Sequence, residues 1–469
     1  MSVLLASVVL FAQLKPTIVE ATATIYPDKL MAKVAPEAMG IGVAVWDANM
    51  THADVPKLVK DAGFKMIRYP GGSYADLYQW KTKSAAKNLG FEATIMPGTD
   101  FDSFMAMSRK AGTTPLITVN YGSNPEGTGG AEPSYAAEWV RYANVEKKWG
   151  VKYWEIGNEV YGNGFYNGQG WEIDLHAGVL KNKSEQLKHP KLGPLEYGKN
   201  VVEFSKAMKA VDPTVKIGAV LTCPGGWPDG VAPDWNTNVL RLCGKDIDFV
   251  VVHWYGEGKT PVEVLESTKQ IPAITAKLKS LVAEYCRPGT QFWMTEGDGS
   301  GFNMRFPGAL FAVDFFAMWL KHGTTSVQWW NLHNGLAVQE DPNFDDQGLL
   351  SSGHTNRGVT QPPVNTPFPP YYGVQMFTHF AKTGDQFVES ASDRRNLVVH
   401  SVVSSGKKRV MLINRDPEME MSVSLVGFGS GEAERFRFAR GMAKPTRDRM
   451  KTQSRVSVPP YGIVVLKQR

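Results

Sequence analysis

Residues 151–159, VKYWEIGNE, contain the pattern from which the fold class follows: an apolar run of aromatic and β-branched residues, a Gly-Asn turn and a closing glutamate. A run with little polar alternation is typical of a strand buried on both faces of a parallel sheet. Seven further runs share this plan, and each leads into a turn with Gly, Asn or Pro. They are MGIGVAVW (39–46), FKMIRYPGG (64–72), PLITVNYG (115–122), VKIGAVLT (215–222), DFVVVHWYG (248–256), QFWMTEGDG (291–299) and TSVQWWNLH (325–333).

Amphipathic segments separate these runs and are predicted as crossover helices. They include residues 54–62, 101–111, 135–149, 196–211 and 307–322. Eight strand–helix units predict an α/β fold of the (β/α)8 TIM barrel type. A doubly wound open sheet is the alternative, but no Gly-rich phosphate loop follows an early strand.

The pattern changes after about Tyr371, where short strand-like runs with turns replace the helical segments. This pattern predicts a C-terminal antiparallel β-sandwich domain. The stretch ATATIYP (21–27) also resembles a strand and is expected to join that sandwich. The predicted organisation is an export-signal-like or buried apolar segment at 1–16, a sandwich strand at 17–34, the barrel at 35–360, a stiff Pro-rich connection at 361–372 and the sandwich at 373–469.

The composition excludes several classes of protein. Hydrophobic residues at 43% and charged residues at 21% of 469 are close to globular averages, which argues against disorder and against a multi-span membrane protein. The net charge of +5 is spread without a basic block, so a nucleic-acid partner is not expected. The three cysteines, Cys223, Cys243 and Cys286, match no metal-ligand spacing and allow at most one disulfide.

In two of the eight runs a glutamate closes the apolar strand core, Glu159 in the fourth and Glu296 in the seventh. Because the carboxyl ends of barrel strands meet at one mouth, the two carboxyl groups are expected to face each other there. Hydrolysis of an acetal requires one carboxyl group to protonate the leaving oxygen and a second to attack, or to activate water at, the anomeric carbon. Two solvated surface glutamates are a poor alternative, since both residues follow strand cores. The pair therefore predicts a glycosidase-type site.

Four short motifs lie at ends of the predicted barrel strands: RYPGGSY (68–74), GNE (157–159), HWY (253–255) and TEG (295–297). In these motifs the chain resembles the clan A glycoside hydrolases, and most of all the α-L-arabinofuranosidases of family 51 type. The resemblance extends over barrel and sandwich from about Ala21, with departures at Ser73, where family 51 has Asn, and in the surroundings of the seventh strand. It implies a retaining enzyme that acts on plant or microbial polysaccharides or oligosaccharides without a cofactor or metal.

The resemblance implies a role for five residues. Glu159 would be the acid/base and Glu296 the nucleophile. Asn158 would hold the sugar 2-hydroxyl, which suits an amide that both donates and accepts. Tyr255 would hydrogen-bond the nucleophile and Arg68 would brace it, and both groups would favour the ionised carboxylate.

Other residues at strand ends are candidates for substrate contacts, with packing or structural hydrogen bonding as the alternative. Among them, the indole of Trp330 offers a flat surface for a sugar ring. His253 is interpreted as a structural hydrogen-bonding residue rather than a general base. The loop YGNGFYNGQGW (161–171) is predicted to form a rim or lid. The remaining candidates are Trp46, Asp47, Asn120 and His333.

Three alternative functions remain open at this point. Another clan A glycosidase (a β-xylosidase, β-glucuronidase or endoglucanase) would have the same glutamate pair. A noncatalytic carbohydrate-binding protein would lack one of the two carboxyl groups, and both are present. A metal-dependent enzyme would need ligands such as His253, His333 and Asp298, which no spacing motif supports. The expected partner is a carbohydrate, with neither nucleic acid nor membrane, in a secreted or periplasmic protein, with the cytoplasm as the alternative.

Overall fold

The computed structural model describes residues 17–89, 92–162, 172–176, 192–225, 234–299, 301–336 and 346–469. The segment at 1–16 and nearly all of the loop at 161–171 lie outside the described residues. The strands are β1 Ile18–Lys33, β2 Met39–Gly42, β3 Met66–Tyr69, β4 Tyr78–Gln79, β5 Ser84–Ala85, β6 Thr114–Val119, β7 Tyr153–Ile156, β8 Lys216–Val220, β9 Phe249–His253, β10 Gln291–Glu296, β11 Val327–Trp329, β12 Thr355–Asn356, β13 Val359–Thr360, β14 Gln386–Ser392, β15 Leu397–Ser404, β16 Lys407–Asn414, β17 Glu420–Val426, β18 Glu432–Ala439, β19 Thr446–Lys451, β20 Val456–Val458 and β21 Gly462–Gln468.

Nine α-helices are found within the described part of the chain. They are α1 Val55–Ala62, α2 Phe101–Ala111, α3 Pro133–Val140, α4 Leu192–Val211, α5 Trp235–Cys243, α6 Pro261–Ser267, α7 Ile271–Tyr285, α8 Phe306–Lys321 and α9 Pro369–Phe380. None of them has the length and apolar character needed to cross a bilayer. The predicted helix at 135–149 is α-helical only to Val140 and continues as a wider π-helical turn, Arg141–Glu146.

Eight parallel strands close into a barrel in the order β2, β3, β6, β7, β8, β9, β10 and β11. The circle is completed by the pairing of β11 with β2, in which Gln328 lies opposite Gly40. Each of the eight runs predicted from the sequence overlaps one of these strands. The (β/α)8 prediction is confirmed, and the doubly wound alternative is wrong.

The interior of the barrel is apolar at its floor and polar towards its mouth. The floor is one buried cluster in which the Trp293 ring stacks on Phe249, with 4.5 Å between ring centroids. Because strand residues alternate in direction, the same side of each strand is reached again two residues further on. Those positions carry the buried polar residues Arg68, Thr118, Glu155 and Thr295. The barrel therefore supports its mouth with charged and hydroxyl side chains.

The second sheet has nine strands, in the order β19, β18, β21, β16, β15, β14, β1, β17 and β20. It curls over itself, because β20 at one edge comes close to β16 and β21. One face forms a core of its own that includes Ala23, Val410 and Val456. The other face, with Val402, Met411 and Phe438, joins the core of the barrel. The predicted C-terminal β-sandwich is confirmed.

The first strand belongs to this C-terminal sheet. β1 pairs antiparallel with β14, where Ala23 lies opposite Ser392, and parallel with β17, where Ala23 lies opposite Leu425. The chain thus leaves the sheet after β1, builds the barrel and returns to the sheet at β14.

The Pro-rich segment predicted as a stiff connection differs from that expectation, because it runs into helix α9. Pro369 and Pro370 occupy its first turn, where proline is favoured since the missing N–H has no partner in a helix anyway. α9 packs on α8, with 5.9 Å between the ring centroids of Phe377 and Phe316. The connection is therefore part of the contact between barrel and sheet.

A buried polar cluster lies in the same contact. Asp314 of α8 accepts hydrogen bonds of 2.6 Å from both Thr268 and His400, and it pairs with Arg415. Burial alone would raise the pKa of Asp314, but Arg415 and His400 hold it well below its usual range. This cluster joins α8 of the barrel to β15 and to the residue after β16.

The three cysteines are all free and buried.

Candidate active site

Glu296 ends β10 and is buried at the mouth of the barrel. Its Oε1 accepts a hydrogen bond of 2.6 Å from the Tyr255 hydroxyl, and its Oε2 accepts one of 2.8 Å from Arg68 Nη1. Burial and the nearby Glu159 raise the pKa of this carboxyl group overall, although His253, Arg68 and Tyr255 act to lower it. Both oxygens are thus held in fixed directions by groups that favour the ionised form.

The Arg68 guanidinium connects Glu296 to the strand that precedes Glu159. Its Nε and Nη2 donate to the two oxygens of Glu155 at 3.2 and 3.0 Å, and Nη2 also donates to Asn158 Oδ1 at 2.6 Å. Burial acts to raise the pKa of Glu155, but Arg68 and His253 lower it overall. Sequence reasoning missed Glu155, although a carboxylate inside the apolar run VKYWEI was a signal.

Glu159 follows β7 through a tight turn. Gly157 has φ +74° and Glu159 itself has φ +41°, a left-handed conformation that side chains other than glycine rarely adopt. The residue is 9% exposed, and its Oε1 lies 2.8 Å from His253 Nδ1. The strained turn aims the carboxyl group back over the barrel mouth.

His253 lies between the two strand-end glutamates. Its Nδ1 is 2.8 Å from Glu159 and 3.7 Å from Glu296, and its Nε2 is 3.2 Å from Thr295 Oγ1. Burial lowers the pKa of His253, but Glu296, Glu155 and Glu159 outweigh it and raise the pKa to about 9. The imidazole is therefore a cation at neutral pH and donates from both nitrogens.

The two strand-end carboxylates are close together. One oxygen of Glu159, one oxygen of Glu296 and a ring nitrogen of His253 all lie within 4.8 Å of one another. Retaining glycosidases hold their two carboxyl groups about 5–5.5 Å apart, whereas inverting enzymes need roughly 6.5–9.5 Å to admit a water. The spacing here matches double displacement.

The same three residues do not suit a metal ion. Arg68 and Tyr255 already occupy the two oxygens of Glu296, and a cationic His253 would repel a metal. The metal hypothesis also invoked His333 and Asp298, which do not belong to this cluster. The donor set is that of an ion-pair network.

Asp76 holds the turns at the ends of two neighbouring strands. Its Oδ2 accepts from the Asn158 N–H at 2.7 Å, and its Oδ1 accepts from the Tyr121 and Gly122 N–H groups at 3.0 and 3.1 Å. Burial raises its pKa to about 7 against the opposing effect of these hydrogen bonds. Sequence reasoning did not find Asp76, because its partners are backbone groups in distant turns.

A third carboxyl group, Glu172, lies beside this network and was also missed. It is 3% exposed, and its Oε1 accepts from the Ser73 hydroxyl at 2.5 Å. Asn158 Nδ2 lies 3.4 Å from each of its oxygens. The sequence signal was indirect: Glu172 directly follows the loop that begins after Glu159.

Trp330 is a half-buried aromatic residue at the mouth. Its ring lies against Gly72, where an added Cβ would meet the ring at 2.4 Å, and its backbone N–H donates to the Gly297 carbonyl at 2.9 Å. Trp330 is thus next to the residue after Glu296. Trp46 is also half-buried and follows β2 at the same end of the barrel.

Asp47 and His333 pair with each other rather than with the glutamates. His333 Nδ1 lies 2.8 Å from Asp47 Oδ2, and its Nε2 lies 2.9 Å from Asn365 Oδ1. This series of hydrogen bonds joins the segments after β2 and β11 to residues 361–372. Both side chains are buried, and these contacts are with other protein groups.

Asn120 is likewise engaged by the backbone. Its amide nitrogen donates to the Tyr78 carbonyl at 3.3 Å, and its oxygen accepts from the Ser123 N–H at 3.0 Å. The structure does not bring this side chain to the carboxylates.

Comparison with known proteins places this geometry in context. No family model matches the chain. Over 224 residues it is 25% identical to the intracellular exo-α-(1→5)-L-arabinofuranosidase 1 of Bacillus subtilis, which is 45% of this chain and 40% of that protein. Over 225 residues it is 27% identical to the corresponding intracellular enzyme of Bifidobacterium longum, which is 45% of this chain and 35% of that protein. The chain spans about two fifths of the length of the curated relatives it matches.

Solved structures align over a larger share of the chain. The family 51 α-L-arabinofuranosidase of Thermotoga petrophila superposes with a TM-score of 0.71 at 16% identity, over 96% of this chain and 100% of that one. The chain has the fold of this enzyme. The family 44 endoglucanase of Clostridium thermocellum superposes with a TM-score of 0.66 at 15% identity, over 96% and 100% of the two chains. The resemblance to family 51 inferred from the motifs is thereby confirmed.

Proposed function

We propose that the protein is a retaining glycoside hydrolase that acts on arabinofuranosyl groups of plant or microbial polysaccharides or oligosaccharides. The observation that carries the proposal is the approach of Glu159 and Glu296 to within 4.8 Å at the mouth of a (β/α)8 barrel. A noncatalytic carbohydrate-binding protein would have no need to bury two carboxylates at the mouth, one held by an arginine and a tyrosine and the other beside a histidine, because buried charge is costly.

In the proposed mechanism, Glu296 attacks the anomeric carbon while Glu159 donates a proton to the leaving oxygen. This step breaks the glycosidic bond and forms a glycosyl ester on Glu296. Arg68 and Tyr255 hold the attacking carboxylate in direction, which keeps it ready for displacement. In the second step Glu159 takes a proton from water, which hydrolyses the ester with overall retention.

His253 would support the acid/base role of Glu159 rather than act as the base. Its pKa of about 9 makes it a cation at neutral pH, so neither ring nitrogen can accept a proton as a general base would. Formation of the ester removes the negative charge of Glu296. That loss weakens the hold of His253 on its proton and changes the field at Glu159 between the two steps.

The names of the curated relatives support arabinofuranose as the sugar. A second candidate is another clan A glycosidase, because a family 44 xyloglucanase of Paenibacillus polymyxa has the same fold with a TM-score of 0.65. Ser73 stands where family 51 has Asn, so a test of the sugar must include xylosides, glucosides and glucuronides.

The experiment is hydrolysis of a panel of aryl glycosides, led by the α-L-arabinofuranoside, with wild type, Glu159→Ala and Glu296→Ala. With azide present, Glu159→Ala should regain turnover on the activated substrate, and Glu296→Ala should yield a glycosyl azide of inverted configuration. Each variant alone should lose about 10³-fold or more in kcat/KM. Full activity of either variant on a substrate that wild type cleaves would refute the catalytic assignment.

We propose a secreted or periplasmic location because polysaccharide substrates are found there. Two relatives are named intracellular, which makes the cytoplasm the alternative. Fractionation of the source cells with an antibody against the protein separates the two.

A further inference from the structure

The positive charge of the protein is concentrated towards the end of its sequence. Residues 432–469 contain ten Lys and Arg against three Asp and Glu, whereas the rest of the chain contains 41 Lys and Arg against 43 Asp and Glu. These cations alternate with other residues, so the sequence shows no consecutive basic block. Strand pairing, however, places residues of different strands side by side, so the distribution of charge must be taken from the sheet.

Four neighbouring strands of the C-terminal sheet bring charged residues into two rows. In the first row, cross-strand partners connect β19, β18, β21 and β16 through Arg449, Glu434, Lys467 and Arg409. Because residues two apart on a strand share a face, a second row lies beside the first. It consists of Lys451, Glu432, Arg469 and Lys407. With strands about 4.8 Å apart, each row is roughly 14 Å long. These two rows are called the basic strip.

The basic strip lies at the end of the molecule away from the barrel mouth. On the same face of β18, Phe438 contacts Phe306 at the start of α8, which is at the mouth end because α8 follows β10. Two residues nearer the strip, Phe436 stacks on His379 near the end of α9, with 4.0 Å between ring centroids. The residues just after α9 line a cavity together with the start of β2, which is at the opposite end of the barrel. The strip continues in this direction.

Two cations of the strip have no partner of opposite charge. Arg449 and Lys451 are exposed, and neither forms an ion pair with any residue in the described part of the chain. The carboxylate of Glu434 is already in use, since it pairs with Arg447 and lies 4.0 Å from Lys467. The strip therefore offers free guanidinium and ammonium groups to a ligand.

The electrostatic potential near the strip is positive. Burial lowers the pKa of the nearby His379, and the charges of Lys382, Arg447 and Lys467 lower it further, although Glu434 acts to raise it. The cations thus outweigh the carboxylates at this end of the sheet. Such a surface attracts anionic ligands.

We propose that the basic strip binds a polysaccharide that carries carboxylate groups and so holds the enzyme on the polymer from which it removes sugars. Guanidinium and ammonium groups donate to carboxylates, and Glu432 and Glu434 can accept from the hydroxyl groups that a sugar chain provides beside its charges. A DNA backbone has phosphates without hydroxyl groups, and the two glutamates would repel it. The nature of the polymer rests on the proposed glycosidase function, whereas the surface itself lies outside the active site.

The test measures binding of wild type to fluorescently labelled polygalacturonate by anisotropy. The same polymer with all its carboxyl groups methyl-esterified is the uncharged comparison, and it should bind at least about tenfold more weakly. The affinity for polygalacturonate should fall as salt is added, because exposed charges are screened beyond about 10 Å at 0.1 M ionic strength. Equal affinity for the two polymers would overturn the proposal.

The variant that tests the strip is Arg449→Gln combined with Lys451→Gln, which should weaken binding to polygalacturonate about tenfold. The matched control combines Arg109→Gln with Lys110→Gln, which removes two exposed cations of α2 and changes the net charge by the same amount. Its Kd should stay within about twofold of wild type. Both double variants should keep the wild-type Tm and the wild-type kcat/KM on an aryl glycoside, because neither pair lies at the barrel mouth.

Several results would overturn the proposal. They are unchanged binding in the Arg449 and Lys451 double variant, equal weakening in the control, undetectable binding of wild type at low ionic strength, and tighter binding of duplex DNA than of polygalacturonate. Binding is measured without turnover, so its outcome is separate from that of the aryl glycoside panel. Inactivity on every glycoside would refute the proposed glycosidase function, whereas selective loss of binding in the strip variant would still support a surface for acidic polysaccharide.

Discussion

Arg68 is the residue on which the geometry of the proposed active site depends most. It donates four hydrogen bonds, two to Glu155, one to Glu296 and one to Asn158. A planar guanidinium can serve three acceptors at fixed angles, whereas the single ammonium of lysine cannot. The carboxylate of Glu155 pairs with Arg68 as well, so Arg68 keeps a partner of opposite charge when Glu296 loses its negative charge in the proposed reaction.

Tyr255→Phe should change the pH dependence of the reaction. The hydroxyl donates to Glu296 Oε1 at 2.6 Å and lowers the pKa of that carboxyl group, so its removal raises the pKa. Because the nucleophile must be ionised, the acidic limb of the kcat/KM profile should move to higher pH, and kcat/KM should fall about tenfold or more. Tyr142→Phe removes a hydroxyl bonded to Asp102 on the outer helices and serves as the control. An acidic limb that does not move would show that Tyr255 leaves the ionisation of Glu296 unaffected.

The residues found from the sequence are those that end strand runs. Glu159, Glu296 and Tyr255 follow apolar cores at fixed offsets, so the barrel geometry alone brings them to one mouth. Glu172 and Asp76 come from segments between strands, and their positions depend on how those segments fold over the barrel. Asn120 also ends a strand, and in the structure nearby backbone groups hydrogen-bond its amide.

At the scale of elements, the short helical turn Gly72–Asp76 after β3 organises two other strand ends. Asp76 at its end accepts three backbone N–H groups, from Tyr121 and Gly122 after β6 and from Asn158 after β7. The left-handed turn at Glu159 begins at the same backbone segment. This one carboxyl group therefore sets where the proposed acid/base stands relative to β6.

Asp76→Asn should lower both stability and activity. In wild type all three backbone N–H groups donate to a carboxyl oxygen of Asp76, but the side-chain amide of Asn places its NH2 group against at least one of them. That N–H group becomes a buried donor without an acceptor, which costs about 1–3 kcal/mol. We expect a lower free energy of unfolding by that amount and a fall in kcat rather than a rise in KM, because Glu159 is displaced. Urea denaturation and steady-state kinetics check the two parts. Asp61→Asn, on the exposed i,i+4 pair with Lys57, is the control and should change neither. A normal kcat in Asp76→Asn would contradict the role assigned to the turn.

The strands and most helices followed from apolar runs and their spacing, but two helical features did not. The π-helical turn after α3 depends on the packing of Trp149 and Tyr142 around it, with 6.1 Å between their rings. Helix α9 was not predicted from the sequence because its first turn is Pro-rich, and both linkers and helix N-termini have that composition.

For the whole molecule, the contact between barrel and sheet should give the protein an acid-sensitive stability. Burial and the nearby Lys321 lower the pKa of His400 to about 4. Because the pKa of His400 is lower in the folded protein than in the unfolded chain, where it is near 6.5, the neutral imidazole makes its full contribution to stability above about pH 6.5. That contribution, about 3 kcal/mol, is lost as the pH falls towards 4. His400→Gln keeps a donor to Asp314 without titrating. Its free energy of unfolding should fall less than that of wild type between pH 7 and pH 4.5, with the exposed His52→Gln as control. Parallel curves for wild type and His400→Gln would refute this assignment.

Barrel and sheet should not fold separately. α8 is buried along almost its whole length. Its Phe306 contacts Phe438 of the sheet, and its Phe316 contacts Phe377 of α9. A fragment of residues 35–360 exposes this apolar surface, so we expect it to be insoluble or to lack cooperative unfolding, as judged by expression, ultracentrifugation and thermal melts. A soluble, active 35–360 fragment would show that the sheet is dispensable.

The return of the chain to its first sheet has a consequence for synthesis on the ribosome. Ala23 of β1 pairs with Ser392 of β14, so 369 residues must be translated before this pairing can form. At about 5–20 residues per second that delay is roughly 20 to 70 s. Throughout it, both edges of β1 offer unpaired backbone groups to chaperones or to other nascent chains. β1 is thus translated before every other described strand and is among the last to be fixed in place.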